Sequence, residues 1–216
     1  MRLVATSAAG TTFGADRTFT AAATATTPPP VQGQSEDVKP VSGIVFIRKP
    51  DGQYIPLTSG SQITSGTVVD ALHGSLALTA AVGKGKTEHG TFGGAVFRLT
   101  QSHQGLTTLS LVESAFKGAP SYAVCTAHVA GDASAAALSS KTLQLLRASA
   151  HGKFTTKGRY SSATVRGTIW TVADRCDGTL TRDVTDSVSV SDFVHHRTII
   201  LHAGQSYLAR PVHRVR

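Results

Sequence analysis

Two adjacent histidines, His195 and His196, follow Asp192 closely and are the residue types here best suited to acid–base or metal chemistry. Imidazole nitrogens and a carboxylate can together bind zinc or transfer a proton near neutral pH. Adjacent side chains on a regular strand point to opposite faces, so the two histidines cannot easily bind one ion. The even separation places Asp192 on the face of His196. The pattern favours an exposed hairpin tip over a metal site.

Acidic side chains that could form a catalytic pair are few. A glycosidase needs two carboxylates beside the scissile bond, and the candidates are Glu88, Glu113, Asp174, Asp177, Asp183 and Asp186. The order Asp174-x-x-Asp177-Gly178 lacks the D-x-D-x-D-G spacing of a calcium loop. Neither a G-x-S-x-G motif nor a defined Ser-His-Asp set occurs. Turn formation and solubility explain these aspartates better. The sequence therefore predicts no catalytic residue, no metal ligand and no cofactor.

Trp170 and Arg166 are the other residues that could bind a ligand. Trp170 is the only indole, and its apolar neighbours predict a core position in which the N–H group needs a partner. An exposed Trp170 with Tyr160 and Tyr207 would instead form a glycan-binding platform, which is the minor alternative. Arg166 is expected to end a strand and pair with a nearby aspartate rather than to bind an anion.

The cysteines Cys125 and Cys176 allow two buried thiols, one reactive thiol or one disulfide. Neither a C-x-x-C motif nor histidines at metal-ligand spacing accompany them, which argues against zinc. The disulfide is the favoured interpretation. Closing a loop of this length would stabilise the fold by roughly 4 kcal/mol in the chain-entropy model, and it requires an oxidising compartment.

The chain has 216 residues and a formal net charge of +8. Its basic residues are scattered, apart from residues 213–216 and a loose group that comprises Arg147, Lys153, Lys157, Arg159 and Arg166. Aromatic residues do not interleave with them as in single-strand nucleic-acid binders. A basic surface that contacts acidic polymers or anionic envelopes fits better than specific nucleic-acid binding. Neither a leader nor an apolar run of transmembrane length is expected.

Strand signals dominate the chain, which predicts an all-β fold with at most one short helix. Residues 130–148 predict either that helix or a flexible excursion that ends in a strand, because the alternation of Leu143 and Leu145 allows both. Residues 159–210 are the most regular stretch and predict four strands. Residues 82–94 predict a glycine-rich loop without the phosphate-loop pattern. An L-x-small-G-x-x-apolar unit recurs at residues 57–63 and 201–207, each downstream of an Asp-Gly turn. The longer second interval predicts an extra hairpin there.

The N-terminal residues predict a separate unit and a spacer. In residues 1–20, a strand R-L-V-A-T, a turn over residues 7–14 and a second strand over residues 15–20 resemble the last hairpin of a fibronectin type III domain. That resemblance implies that the chain is a fragment of a longer multidomain protein. Residues 21–40, which include Glu36, are rich in Pro, Thr and Ala and predict a linker with a domain boundary near Pro40.

A series of short motifs resembles the FecR domain over residues 41–210. The motifs are G-x-V (43–45), L-x-x-G (57–60), G-x-x-V (66–69), V-R-G-T-x-W-x-V (165–172), D-G-T (177–179), V-x-V (188–190) and A-G-x-x-Y (203–207). The resemblance implies an extracytoplasmic all-β domain, of β-solenoid or β-sandwich type, that acts by protein contact. The transmembrane helix and anti-sigma segment of the namesake regulators are not evident here.

Together these features predict a non-catalytic interaction or sensory module of a cell-surface, periplasmic or secreted multidomain protein. It would bind a protein partner at the cell envelope. Two alternatives are an accessory domain of a polysaccharide-acting enzyme and a basic module that binds an anionic envelope polymer or glycan.

Overall fold

The computed structural model describes residues 4–15, 28–125 and 139–211. Strands hold 62% of these residues, and none of them lies in a helix of seven residues or more. The helical turn that is present is a 3-10 turn over Tyr122–Val124. The all-β prediction is therefore confirmed at the level of fold class.

The N-terminal segment forms a two-stranded hairpin of β1 (Val4–Ser7) and β2 (Gly10–Phe13). Its register pairs Val4 with Phe13 and Ser7 with Gly10, so two alanines close the turn. The predicted long turn over residues 7–14 is therefore wrong. Residues 11–13 are β-branched or aromatic and extend readily. Residues 16–20 of the predicted second strand lie outside the described residues.

The other thirteen strands form one sheet. In chain order they are β3 (Ser35–Arg48), β4 (Tyr54–Pro56), β5 (Ser61–Thr64), β6 (Val68–Ala81), β7 (Thr87–Gly93), β8 (Val96–Gln101), β9 (Thr107–Leu111), β10 (Thr142–Lys157), β11 (Ser161–Arg175), β12 (Gly178–Asp183), β13 (Ser187–Asp192), β14 (Arg197–His202) and β15 (Ser206–Ala209).

Four long strands, β3, β6, β10 and β11, divide this sheet into two halves because their two ends pair with different neighbours. One half has the order β5-β3-β6-β7-β10-β11-β12-β15. The other has the order β4-β3-β6-β8-β9-β10-β11-β13-β14. The result is a sandwich-like or barrel-like sheet whose corners are strands that pass from one half to the other. Among the strands that the structure describes, only β9 and β10 pair in parallel, which differs from the parallel coils of a solenoid.

Glycines occupy the bends of the long strands. Gly43 of β3 pairs directly with Gly74 of β6. A Cβ atom on Gly74 would lie 2.6 Å from the Ile44 carbonyl oxygen, and one on Gly43 would lie 2.0 Å from that of His73. In the other pair of long strands, β10 and β11, the register shifts between His151 and Phe154. The two backbones approach too closely at Gly43 and Gly74 for any side chain to fit between them.

The core lies between the two halves. Phe92, Phe154 and Trp170 are each 0% exposed and their rings contact one another. The indole N–H of Trp170 donates to the Thr156 hydroxyl at 3.0 Å. Trp170 belongs to the half that contains β12, whereas Thr156 belongs to the half that contains β9. The predicted core position of Trp170, with a partner for its N–H, is confirmed.

The sheet begins earlier than the linker prediction implies. β3 starts at Ser35, and Glu36 and Val38 are almost completely buried. The Pro40 position predicted as a boundary therefore lies within β3. The strand pattern extends upstream of Pro40, because Glu36 and Val38 keep the two-residue alternation of the later apolar residues. The prolines of this stretch hide that pattern in the sequence. Residues 21–27 of the predicted linker lie outside the described residues.

Two other element predictions need correction. The glycine-rich loop is shorter than predicted, because β7 takes up Thr87–Gly93. Residues 159–210, which predict four strands, hold five, since the chain passes between the halves at residues 184–186 and separates β12 from β13. Residues 142–148 lie in β10, so the strand alternative holds there. Residues 126–138 of the irregular segment are outside the described part of the chain.

The recurring L-x-small-G-x-x-apolar unit has a structural counterpart. Residues 57–60 connect β4 to β5, and residues 203–205 connect β14 to β15. In both cases the unit joins the outermost strand of one half to that of the other. The extra material in the second half is β12 and β13. They are not the predicted hairpin, because they pair with different ends of β11 rather than with each other.

Replacing Gly74 by alanine tests the corner. We expect Gly74→Ala to lower the free energy of unfolding by about 3 kcal/mol, because its Cβ would overlap backbone atoms that cannot rotate away. Gly204→Ala is the control: its φ is +83° and nothing lies within 4 Å of a Cβ there, so only the left-handed backbone is strained, at about 1 kcal/mol. Urea unfolding measures both. Equal losses in the two variants would contradict the assigned role of the corner.

Glu36 is the least expected core residue. Its side chain is 0% exposed, and neither carboxylate oxygen has a hydrogen-bond partner among the described residues. Burial raises its pKa from 4.5 to about 7, with the Ser65 hydroxyl acting in the opposite direction. A carboxyl with a higher pKa in the folded chain favours folding when protonated. Its contribution therefore weakens as the pH rises from about 4.5 to about 7.

A Glu36→Gln variant should remove this pH dependence. We expect it to unfold at the same urea concentration as the wild type at pH 4.5 and to be more stable at pH 8, by on the order of 3 kcal/mol. Urea unfolding across this range is the measurement. Glu88→Gln is the control, because the Glu88 carboxylate already accepts the backbone N–H of Lys153 at 2.8 Å. Parallel pH curves for Glu36→Gln and the wild type would show that Glu36 is not the titrating group.

Candidate functional site

A buried carboxylate organises the tip of the last hairpin. Asp192 ends β13 and is 1% exposed. Its Oδ1 accepts the backbone N–H groups of Val194 and His195 at 2.9 and 3.0 Å. A carboxylate that accepts N–H groups two and three residues ahead forms a local turn of the Asx type. Asp192 therefore fixes the turn that presents His195.

The second oxygen of Asp192 joins the hairpin to β15. Asp192 Oδ2 accepts the Tyr207 hydroxyl at 2.5 Å and lies 2.9 Å from His195 Nδ1. Arg197 donates from Nε and Nη2 to the Tyr207 hydroxyl oxygen at 3.1 and 2.8 Å. β13 and β15 belong to different halves of the sheet. The hydrogen-bonded set Arg197–Tyr207–Asp192–His195, here called the hairpin network, links the edges of the two halves.

Charges in the hairpin network are set by burial and by hydrogen bonds. Burial alone would raise the pKa of Asp192, but hydrogen bonds from Tyr207, His195 and Val194 outweigh it and lower the pKa to about 2. Burial, reinforced by the hydrogen bond to Asp192, raises the pKa of Tyr207. Asp192 is thus an anion at neutral pH and Tyr207 keeps its proton as a donor. His195 Nε2 has no partner among the described residues.

A cavity of about 540 Å³ adjoins the hairpin network. Its lining residues are Val194, His195, Arg197, Tyr207, Leu208, Arg210 and Pro211. Two arginines and a histidine supply positive charge or donors there, and Val194, Leu208 and Pro211 supply apolar surface. Guanidinium groups bind carboxylates in a bidentate geometry. The cavity can therefore hold a carboxylate that carries an apolar neighbour.

His195 is oriented by Asp192 as a general base would be. In the described parts of the chain, however, no hydroxyl or thiol hydrogen bond to His195 supplies a nucleophile. Donor groups surround the site instead. This chemistry suits binding of an anion.

His196 does not take part in the hairpin network. The prediction put Asp192 on its face, but β13 ends at Asp192 and the turn brings His195 to the carboxylate instead. His196 is exposed and has a φ of +50°. The exposed hairpin tip is confirmed. Across residues 4–15, 28–125 and 139–211, no three His, Cys, Asp or Glu side chains are grouped closely enough to hold a metal ion.

A second polar cluster surrounds the disulfide. Cys125 and Cys176 form the predicted bond and tie the 3-10 turn to the end of β11. The Arg159 guanidinium lies 4.2 Å from the ring centroid of Tyr122, which meets Tyr160 edge to face. This stacking covers the polar residues beneath it.

Asp174 is fully buried under that stack. Its Oδ1 accepts the Thr179 hydroxyl at 2.6 Å and the Arg159 backbone N–H at 3.1 Å. Burial raises its pKa against these hydrogen bonds. The pKa of Glu113 is also raised, by burial and by the charge of Asp174. These two are the acidic side chains that the fold brings into electrostatic contact, while Glu88 lies elsewhere against Lys153.

The roles predicted for the aspartates and for Arg166 are corrected by burial. Asp174 and Asp183 are 0% exposed and Asp177 is 6% exposed, so solubility does not explain them. Asp186 is exposed in the connection between β12 and β13, as expected for a solvated turn residue. Asp177 forms an ion pair with Arg175 at 2.7 Å. Arg166 lies within β11 at its bend and makes no ion pair with the described residues. Side-chain alternation alone could not show which aspartates face the core.

The predicted aromatic platform is not formed. Trp170 is buried between the halves, Tyr160 stacks beside Arg159, and Tyr207 belongs to the hairpin network. Arg197 and Arg210 line the cavity, although no motif in the sequence predicts this role for them. The A-G-x-x-Y motif that ends at Tyr207 is the nearest signal, since Arg210 follows it closely.

Comparisons with protein-family models, with curated proteins and with solved structures found no match to this chain. Among the described residues, no helix is long and apolar enough to cross a membrane.

A Tyr207→Phe variant tests the hairpin network. We expect it to lose about 2 kcal/mol of unfolding free energy at pH 7, because a buried carboxylate loses a donor. Asp192 stabilises the fold when charged, so the loss should shrink as the pH falls below about 4 toward the lowered pKa of about 2. Tyr160→Phe is the matched control, since its hydroxyl makes no hydrogen bond to a described residue. Equal stability of Tyr207→Phe and the wild type would contradict the network.

Proposed function

We propose that this chain is a non-catalytic, extracytoplasmic, FecR-like interaction module that binds an acidic segment of a protein partner. The binding site is the cavity beside the hairpin network. The observation that carries the proposal is a preorganised cluster of donors: Arg197 is held by Tyr207, His195 is held by Asp192, and Arg210 lies in the same cavity. Groups already fixed in place lose little conformational freedom on binding.

The charge distribution supports an acidic partner. Two further cavities are lined by Arg48, Lys49 and Arg98 and by Lys153 and Arg166, and neither has an acidic lining residue. The formal net charge of the whole chain is +8. Such a field accelerates encounter with anionic surfaces and orients them. A carboxylate-bearing segment is the complement of the hairpin cavity.

Family resemblance and compartment support the same function. The ordered FecR-like motifs end on Tyr207, the residue that connects the hairpin network to β15. A disulfide is compatible with an oxidising, extracytoplasmic compartment. The fibronectin-like hairpin would make this module part of a longer protein at the cell surface. A stacking-based glycan site is less well supported, because Trp170 is buried.

Peptide binding tests this function. Synthetic peptides rich in Asp, Glu and Leu, and matched peptides with Asn and Gln, are titrated by calorimetry at two salt concentrations. We expect the acidic set to bind, with weaker affinity at high salt. Arg197→Gln/Arg210→Gln should weaken binding at least tenfold, because each charge-assisted hydrogen bond contributes about 1.5–3 kcal/mol.

Lys39→Gln/Lys84→Gln is the control for net charge, because both lysines are exposed and lie outside this cavity. The affinity of this control variant for the acidic peptides should stay within about twofold of the wild type. The single variant Arg210→Gln is measured as well, so that a folding defect caused by replacing Arg197 is not mistaken for a loss of binding. Equal weakening by both double variants would indicate nonspecific attraction. That result, or equal binding of neutral peptides, would sink the proposal.

A further inference from the structure

A second basic cavity lies where β3 ends and β6 begins. It has a volume of about 320 Å³, and its lining residues are Arg48, Lys49, Pro50, Thr64, Ser65, Gly66, Thr67, Val68 and Arg98. It shares none of these residues with the cavity beside the hairpin network. Its volume lies at the lower end of the range for small-molecule sites.

Strand register places two arginines on either side of one valine. Val68 of β6 pairs with Arg98 of β8, and Ile47 of β3 pairs with Val69. Continuing the second register by one residue puts Arg48 opposite Val68. Directly paired residues share a face of the sheet, and two strand spacings separate the two arginines by about 10 Å between Cα atoms. Their long side chains can therefore meet above Val68, which lines the floor of the cavity.

These basic side chains form no ion pair with the described residues, and Asp70 is the carboxylate that acts on the pKa of Tyr54 together with Arg48 and Arg98. No Asp or Glu oxygen among the described residues lies within ion-pair distance of Arg48, Lys49 or Arg98. Arg98 Nη1 donates to the Gly66 carbonyl at 2.8 Å, and Arg48 makes only a 3.5 Å contact with the Gly52 carbonyl. Arg48 and Arg98 are two strand spacings apart, and their like charges repel each other where the long side chains approach. An anion between them would relieve that repulsion.

Two hydroxyl groups add to this surplus of donors. The Thr67 hydroxyl donates to the Thr64 carbonyl at 2.7 Å, so the Thr64 hydroxyl has only a long 3.4 Å contact with it. Tyr54 pairs with Arg48 in register, and its hydroxyl is buried without a hydrogen-bond partner among the described residues.

We propose that this cavity binds a tetrahedral oxyanion, carried as a phosphate or sulfate ester on a small molecule or sugar unit. Two guanidinium groups and an ammonium group can each donate to a different oxygen of such an anion. A carboxylate offers only two oxygens and would leave one cation unmatched. This proposal does not depend on the proposed function, because anion binding at one cavity can be shown or disproved whatever the result at the other.

The test is titration of ¹⁵N-labelled protein with sodium phosphate, sodium sulfate, glucose 6-phosphate and glucose 6-sulfate. Sodium acetate and sodium chloride at matched ionic strength are the comparison salts. We expect saturable shifts of the backbone amides of residues 64–67 with the tetrahedral anions only. Tighter binding of one sugar ester would identify phosphate or sulfate as the natural group, and either result supports the site.

The double variant Arg48→Gln/Lys49→Gln should weaken binding of the sugar esters at least tenfold. Arg98 is left unchanged in this variant, because its side chain donates a hydrogen bond to the Gly66 carbonyl. Lys153→Gln/Arg166→Gln removes the same charge from another cavity and should bind as the wild type does. Thermal unfolding checks that each variant is folded. Unchanged affinity in Arg48→Gln/Lys49→Gln, or equal shifts with acetate, would overturn the proposal.

Discussion

The close backbone contact of Gly43 and Gly74 is the constraint on which the rest of this fold depends. Both residues lie where β3 and β6 pass from one half of the sheet to the other, and neither position leaves room for a Cβ atom. Because the two strands bend together, their ends can pair with separate sets of neighbours. The apolar faces then close on each other around Phe92, Phe154 and Trp170. Without the bend, one flat sheet would leave those rings in water.

Both candidate sites follow from this division into halves. The outermost strands of the two halves come together in pairs that are joined by short turns, β4 with β5 and β14 with β15. The hairpin network sits at the second pair, and the Arg48–Arg98 cavity sits beside the first. Strand ends at a sheet edge have unpaired polar groups and room for long side chains. Apolar residues fill most of the interior, and both candidate sites lie at these edges.

The fold class was predictable from the sequence because strand alternation and turn residues are local signals. The disulfide and the core position of Trp170 were predictable because Cys and Trp have few stable environments in such a chain. Three prolines upstream of β3 predict a linker that includes Glu36, whereas Glu36 lies in that strand. The charge of Asp174 and Asp183 predicts a place at the surface, whereas both are buried. Their burial depends on partners such as Thr179, which is contributed by another strand.

The sequence by itself determined the β composition, the two cysteines available for a disulfide and the excess of basic charge. Those properties depend on residue type and on neighbours within a few positions. Only the tertiary structure decided that Asp192 meets Tyr207 across two strands and that Arg48 and Arg98 flank Val68. It also decided that His195, rather than His196, faces the carboxylate. Register, bends and turn geometry bring distant residues together, and the period of a single strand carries no information about which partner it will meet.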